Sequence, residues 1–153
     1  MPVLLRSEVS PLPVPIAWLK KTATALLRHA DRKECELSIL LVDDSRMTEL
    51  NSNYRGIAGA TNVLSFPMDD EPATAGPQLL GDIVISVDTA AREAADCDSS
   101  MEDYLCILLV HGLVHLLGYD HERGKDDAAA MTTKEQELLQ KISDAKVLAP
   151  LAK

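Results

Sequence analysis

The chain has 153 residues and a mass of 16.6 kDa, 46% of it hydrophobic and 25% charged; this excludes disorder and collagen-like repetition and leaves enough sequence for one domain, residues 1–153, with a sizeable core. The longest uncharged apolar stretch, Leu105 to Val110, falls far short of the ~20 residues of a membrane span, and Arg6 and Glu8 interrupt the N-terminal apolar stretch, so neither membrane segment nor signal peptide is expected and the location is read as cytoplasmic. A net charge of −9 argues against nucleic-acid binding through a global basic field, although residues 1–67 carry 8 Lys and Arg against 7 Asp and Glu while residues 68–153 carry 7 against 17.

In chain order, Val3 to Val9 reads as a short strand, broken by the proline-rich segment 11–15. Ile16, Leu19, Ala23, Leu26 and Leu27 recur at helical spacing through Ala30, with Pro15 suited to the first turn. Cys35 to Val42 is a strand whose end, Ile39–Val42, is apolar on both faces. Asp43 or Asp44 caps a helix with Met47, Leu50 and Tyr54 on its inner face. Thr61 to Phe66 and Leu80 to Val87 read as paired strands joined by a loop holding Pro67, Pro72, Gly76 and Pro77. Asp88 is placed to cap the helix Thr89 to Ala95. Ser99 or Ser100 caps the next, which runs through LCILLVHGLVHLL to Gly118; a last helix covers Asp126 to Ile142. The order β-α-β-α-β-β-α-α-α predicts an α+β (mixed α/β) fold, a small mixed four-stranded sheet covered by helices. Phe66 and Trp18 are read as core residues, the cysteines as small core or surface residues, and His29 as a solvent-facing helix residue. The three cysteines, Cys35, Cys97 and Cys106, are too few and too scattered for a disulfide framework or a cysteine zinc site.

Three of the four histidines lie within eleven residues, in HGLVHLLGYDH. His111 and His115, four apart on a helix, emerge one turn apart on one face and can chelate one metal ion. Gly118 permits the backbone reversal that would bring His121 round as a third ligand. Three neutral imidazoles suit Zn²⁺ and leave its fourth position open for water, the mark of a catalytic site. Asp120 and Glu122 flank His121 and are candidates to orient a ligand ring. The spacing is also that of the metzincin peptidases, but the glutamate they carry as general base is here Gly112, whose use would be to let a strand or substrate approach the helix.

HGLVHLLGYDH resembles the signature of the YbeY family of bacterial metal-dependent endoribonucleases. NSNYRGIAGATNVLSFP at Asn51–Pro67, LLGDIVIS at Leu79–Ser86, and Met131 with Glu135 in the last helix agree with it in the family's order. The resemblance implies one metal, usually zinc, held by His111, His115 and His121 on and after the His-bearing helix. It also implies Arg55 as the arginine associated with activity, facing the metal cleft. The implied activity is single-strand-specific hydrolysis of RNA in ribosomal RNA maturation and ribosome quality control, with rRNA precursors and the ribosome as partners. Ile57-Ala58-Gly59-Ala60 departs from the charged, proline-containing loop common in relatives. The competing readings are a ribosome-associated assembly factor with a structural zinc, and a metallopeptidase. A guanidinium suits Arg55 to a phosphodiester, and Lys20, Lys21, Arg28, Arg32 and Lys33 are candidates to guide an RNA backbone. Thr61, Asn62 and Ser65 either line the cleft or make strand-end hydrogen bonds.

Overall fold

Residues 3–68, 78–119 and 125–144 are described by the computed structural model. They form β1 (Val3–Ser7), α1 (Ile16–His29), β2 (Glu36–Val42), α2 (Asp44–Arg55), β3 (Val63–Pro67), β4 (Leu79–Ser86), α3 (Val87–Asp96), α4 (Met101–Leu116) and α5 (Lys125–Asp144). The strands lie in the order β1-β2-β4-β3; β1, β2 and β4 are parallel, and β3 pairs antiparallel with β4 at the edge. The expected α+β architecture and the β3–β4 pairing are both present.

Strand periodicity divides the core in two. Leu37, Ile39, Leu41, Ile83 and Ile85 point to one face and are buried with α1, α4 and α5 in the larger cluster. Val42, Leu64 and Val84 point to the other, where Met47 and Leu50 of α2 cover them. α2 and α4 therefore lie on opposite faces of the sheet. Burial of β2 on both faces explains its near-continuous apolar run.

Gly81 sits where β4 shifts register against β2, with φ of +151°. A Cβ there would overlap the Phe66 carbonyl oxygen and lie 2.8 Å from Leu116 Cδ2 and 3.0 Å from Pro67 Cα. The strand's close approach to both β3 and α4 thus requires glycine.

Three expectations are corrected. α3 is capped by Ser86, which accepts from the Thr89 amide, and not by Asp88. The helix begins two residues earlier than expected, so Asp88 lies in its first turn and its carboxylate accepts instead from the Asp44 amide at 3.0 Å. Tyr54 is 68% exposed rather than internal. By the last turn α2 has reached the edge of the sheet, where the ring meets Phe66 edge-on at 5.3 Å. His29 is half-buried: its Nε2 is shielded and has no hydrogen-bond partner among the described residues, because the end of α1 packs on α5, whose Lys141 Nζ donates to the His29 carbonyl. Burial, with the charges of Arg28 and Lys141, lowers its pKa.

The starts of α2 and α3 are joined through Asp44. Its Oδ1 accepts from Ser86 Oγ at 2.7 Å and Thr89 Oγ1 at 2.6 Å, and its Oδ2 lies 2.8 Å from Arg92. Burial alone would raise the carboxyl pKa; the hydrogen bonds from Thr89, Ser86 and Arg92, with the Arg92 charge, outweigh it and hold the pKa at about 2. The folded value lies below the ordinary one, so the stabilisation is complete above pH ~4 and is lost as pH falls toward 2. Asp44→Asn should therefore destabilise the protein by about 2 kcal/mol at neutral pH and flatten its stability between pH 4 and 2. Urea unfolding at both pH values checks this; equal losses for the two proteins on acidification would count against it.

Candidate functional site

α4 is capped by Ser100, which accepts from the Asp103 amide, and carries Glu102 and Asp103 in its first turn. At its far end Gly118, at φ +101°, donates to the His115 carbonyl, and Tyr119 donates to that of Val114. These two bonds form a Schellman motif, as the glycine stop implied.

Between its ends the helix is pressed on the sheet. A Cβ on Gly112 would meet Ile83 Cγ2 at 3.0 Å and Cδ1 at 3.1 Å, so the glycine admits a strand, β4. From β3, Ser65 Oγ donates to the Gly112 carbonyl at 3.0 Å. His111 and His115 flank this contact and are half-buried, their ring centroids 4.8 Å apart and planes 81° apart. From α5, Glu135 Oε2 lies 3.3 Å from His111 Nδ1. An ionised carboxylate only accepts, so this contact puts the ring proton on Nδ1 and the lone pair on Nε2, the tautomer a metal ligand needs.

The pair and its carboxylate fit a divalent metal. Among the described residues no third His, Cys, Asp or Glu completes a ligand set. His121, Asp120 and Glu122 lie outside the described residues. Arg55 is exposed at the end of α2, across the sheet from α4, and makes no ion pair among the described residues. The structure thus brings His111 and His115 together.

Asn62, before β3, and Ser65, within it, have structural partners. Asn62 Nδ2 donates to Glu93 Oε1 at 2.9 Å, and Tyr104 OH donates to the same oxygen at 2.7 Å. Burial, with the Glu93 hydrogen bond and charge, pushes the Tyr104 hydroxyl up to about 12. Asn51, which the sequence does not distinguish from its polar neighbours, is buried and donates to the Gly59 carbonyl at 2.9 Å, anchoring the loop that leaves Arg55. Trp18 is buried as expected, whereas Phe66 is only partly so; of the cysteines, Cys106 is buried.

Residues 13–143 match the family model described as Endoribonuclease YbeY. The chain belongs to the YbeY family. Proteins named Endoribonuclease YbeY from Syntrophotalea carbinolica and Aquifex aeolicus are 43% and 42% identical to it over 133 and 127 residues. Those alignments span 86% and 83% of this chain, and 89% and 83% of the relatives. A third YbeY relative, from Persephonella marina, is 35% identical across 92% of both chains. The solution structure of a Thermotoga maritima protein superposes with a TM-score of 0.65 at 22% identity, covering 97% of this chain and 93% of that one, and shares the fold. The YbeY blocks quoted from this sequence thus fall on α2, β3, β4, α4 and α5, with Glu135 as the member whose contact with His111 only the packing of α5 on α4 reveals.

Proposed function

We propose that this protein is a zinc-dependent endoribonuclease that hydrolyses phosphodiester bonds in single-stranded RNA. The natural substrates are proposed to be ribosomal RNA precursors in the cytoplasm, met in association with the ribosome. The observation that carries the proposal is the His111–His115 pair on α4, with Glu135 fixing the tautomer of His111, in a chain of the YbeY family. No helix among the described residues is long and apolar enough to cross a membrane.

His111 and His115, with His121, would hold the ion as neutral imidazoles. When bound, zinc supplies a Lewis acid for the phosphate and acidifies a bound water toward a pKa of about 7. Glu135 accepts the His111 Nδ1 proton and raises that ring's basicity. Arg55 is proposed to bind the substrate phosphate: its guanidinium is exposed, and no carboxylate competes for it among the described residues. A peptidase reading is disfavoured, because Gly112 lies against Ile83 and a glutamate there would overlap it.

The experiment is cleavage of a labelled single-stranded RNA by purified protein, before and after chelation and after zinc is restored. Cleavage lost on chelation and regained with zinc is expected; cleavage indifferent to both treatments would sink the proposal. Glu135→Gln should weaken zinc binding by about 10–100-fold, read by competition with a chromophoric chelator, with little loss of rate once zinc is saturating. An unchanged zinc affinity would remove Glu135 from the site.

A further inference from the structure

The cations of this acidic chain are not treated alike by the fold. Arg46 pairs with Glu8 and Glu49, Arg92 with Asp44, and Lys134 and Lys141 with Glu137. Lys20, Lys21 and Arg28 of α1, and Arg32 and Lys33 just after it, have no carboxylate partner among the described residues.

α1 buries Trp18, Leu19, Leu26 and Leu27 against the core, so its outer strip is formed by Ala17, Lys20, Lys21, Thr24 and Arg28. The helix holds no acidic residue, and between residues 16 and 33 five cations stand against Asp31 alone. Lys20 and Lys21 adjoin and Arg28 follows Lys21 by seven residues, two turns or about 10 Å along the helix, so the cations line up along one face. No aromatic side chain lies on the strip, so it offers charge without base stacking, the chemistry of a sequence-independent backbone contact.

The strip is on the layer that holds the histidines. α1 packs on α4 and α5, and the His29 carbonyl meets Lys141 Nζ at 3.5 Å. Lys141 is six residues along α5 from Glu135, a rise of about 9 Å, and Glu135 touches His111. A strand lying at the histidine pair can therefore continue past the end of α1 within a few nucleotides.

We propose that the outer face of α1 (Lys20, Lys21 and Arg28, continued by Arg32 and Lys33) binds the phosphate backbone of single-stranded RNA outside the cleavage site. This rests on the endoribonuclease reading above. The surface explains how a chain of net charge −9 holds a polyanion: through one locally unneutralised strip rather than an overall field.

The test is the salt dependence of binding to a labelled single-stranded RNA, followed by fluorescence anisotropy with the zinc-loaded protein, the RNA checked for integrity on a gel. For Lys20→Gln/Lys21→Gln/Arg28→Gln the slope of log Kd against log salt should fall by about 2, three contacts at ~0.7 each. Arg46→Gln, which removes a paired cation from α2, should leave the slope unchanged. Should the triple variant melt early, Lys21→Gln/Arg28→Gln is expected to give about two-thirds of the effect. A slope unaltered by the α1 variants, or altered equally by Arg46→Gln, overturns the proposal. If wild-type protein cuts RNA but the slopes coincide, the α1 surface falls and the activity stands. If the slope drops although wild type cuts nothing, the surface stands and the activity falls.

Discussion

His115→Ala is expected to abolish cleavage of single-stranded RNA, by on the order of a thousand-fold, while the protein stays folded. Loss of one of the proposed ligands removes the ion, whose charge stabilisation amounts to several kcal/mol, and each ~1.4 kcal/mol is a factor of ten in rate. The fold should tolerate the change: His115 is only half-buried, alanine is the best helix former, and the Schellman bonds at the end of α4 use backbone atoms. Wild type treated with chelator should match the variant, which separates loss of the ion from loss of the helix. Circular dichroism of the metal-free proteins should show equal melting. If wild type and variant cut at the same rate, the activity belongs to a contaminant and the assembly-factor reading takes its place.

Gly81→Ala should be strongly destabilising, at about 2–6 kcal/mol. Two costs combine: φ of +151° is strained for any residue with a Cβ, at roughly 1–3 kcal/mol, and overpacking adds about 1–3 kcal/mol. The blocking atoms include the Phe66 carbonyl oxygen and Pro67 Cα, which are backbone and cannot swing aside as a side chain would. A chain of this size loses about 2–4 °C per kcal/mol, so the melting temperature should drop by roughly 10 °C. Leu116, the other neighbour of the added methyl, follows His115 directly, so the residual folded protein should also bind zinc less tightly. A melting temperature within error of wild type would refute this account of Gly81.

What the sequence disclosed, and what it hid, follows from how far each interaction reaches along the chain. His111, His115 and Gly118 were legible because helical spacing and the stop are local, and the apolar run of β2 gave away a strand buried on both faces. Glu135 stood out only as part of a family pattern; its contact with His111 spans 24 residues and exists because α5 crosses α4. Asp44 read as a cap candidate, yet its carboxylate is consumed by Ser86 and Thr89, 42 and 45 residues on. Asp88 looked like the cap of its own helix and instead serves the start of α2. Tyr54 has the right spacing for an inner face, but spacing does not say where the sheet ends.

The seating of Gly112 on Ile83 has a thermodynamic corollary. A helix locked to its sheet at that point can neither roll nor slide without driving backbone into the Ile83 side chain, so the spacing of the two imidazoles is set by folding and not by the ion. In zinc fingers the ion organises its own ligands and much of its affinity is spent on ordering the chain. For His111 and His115 the ordering is complete beforehand. The metal-free protein should therefore keep its helices and its core, and an ion bound as proposed would spend none of its interaction energy on ordering this pair.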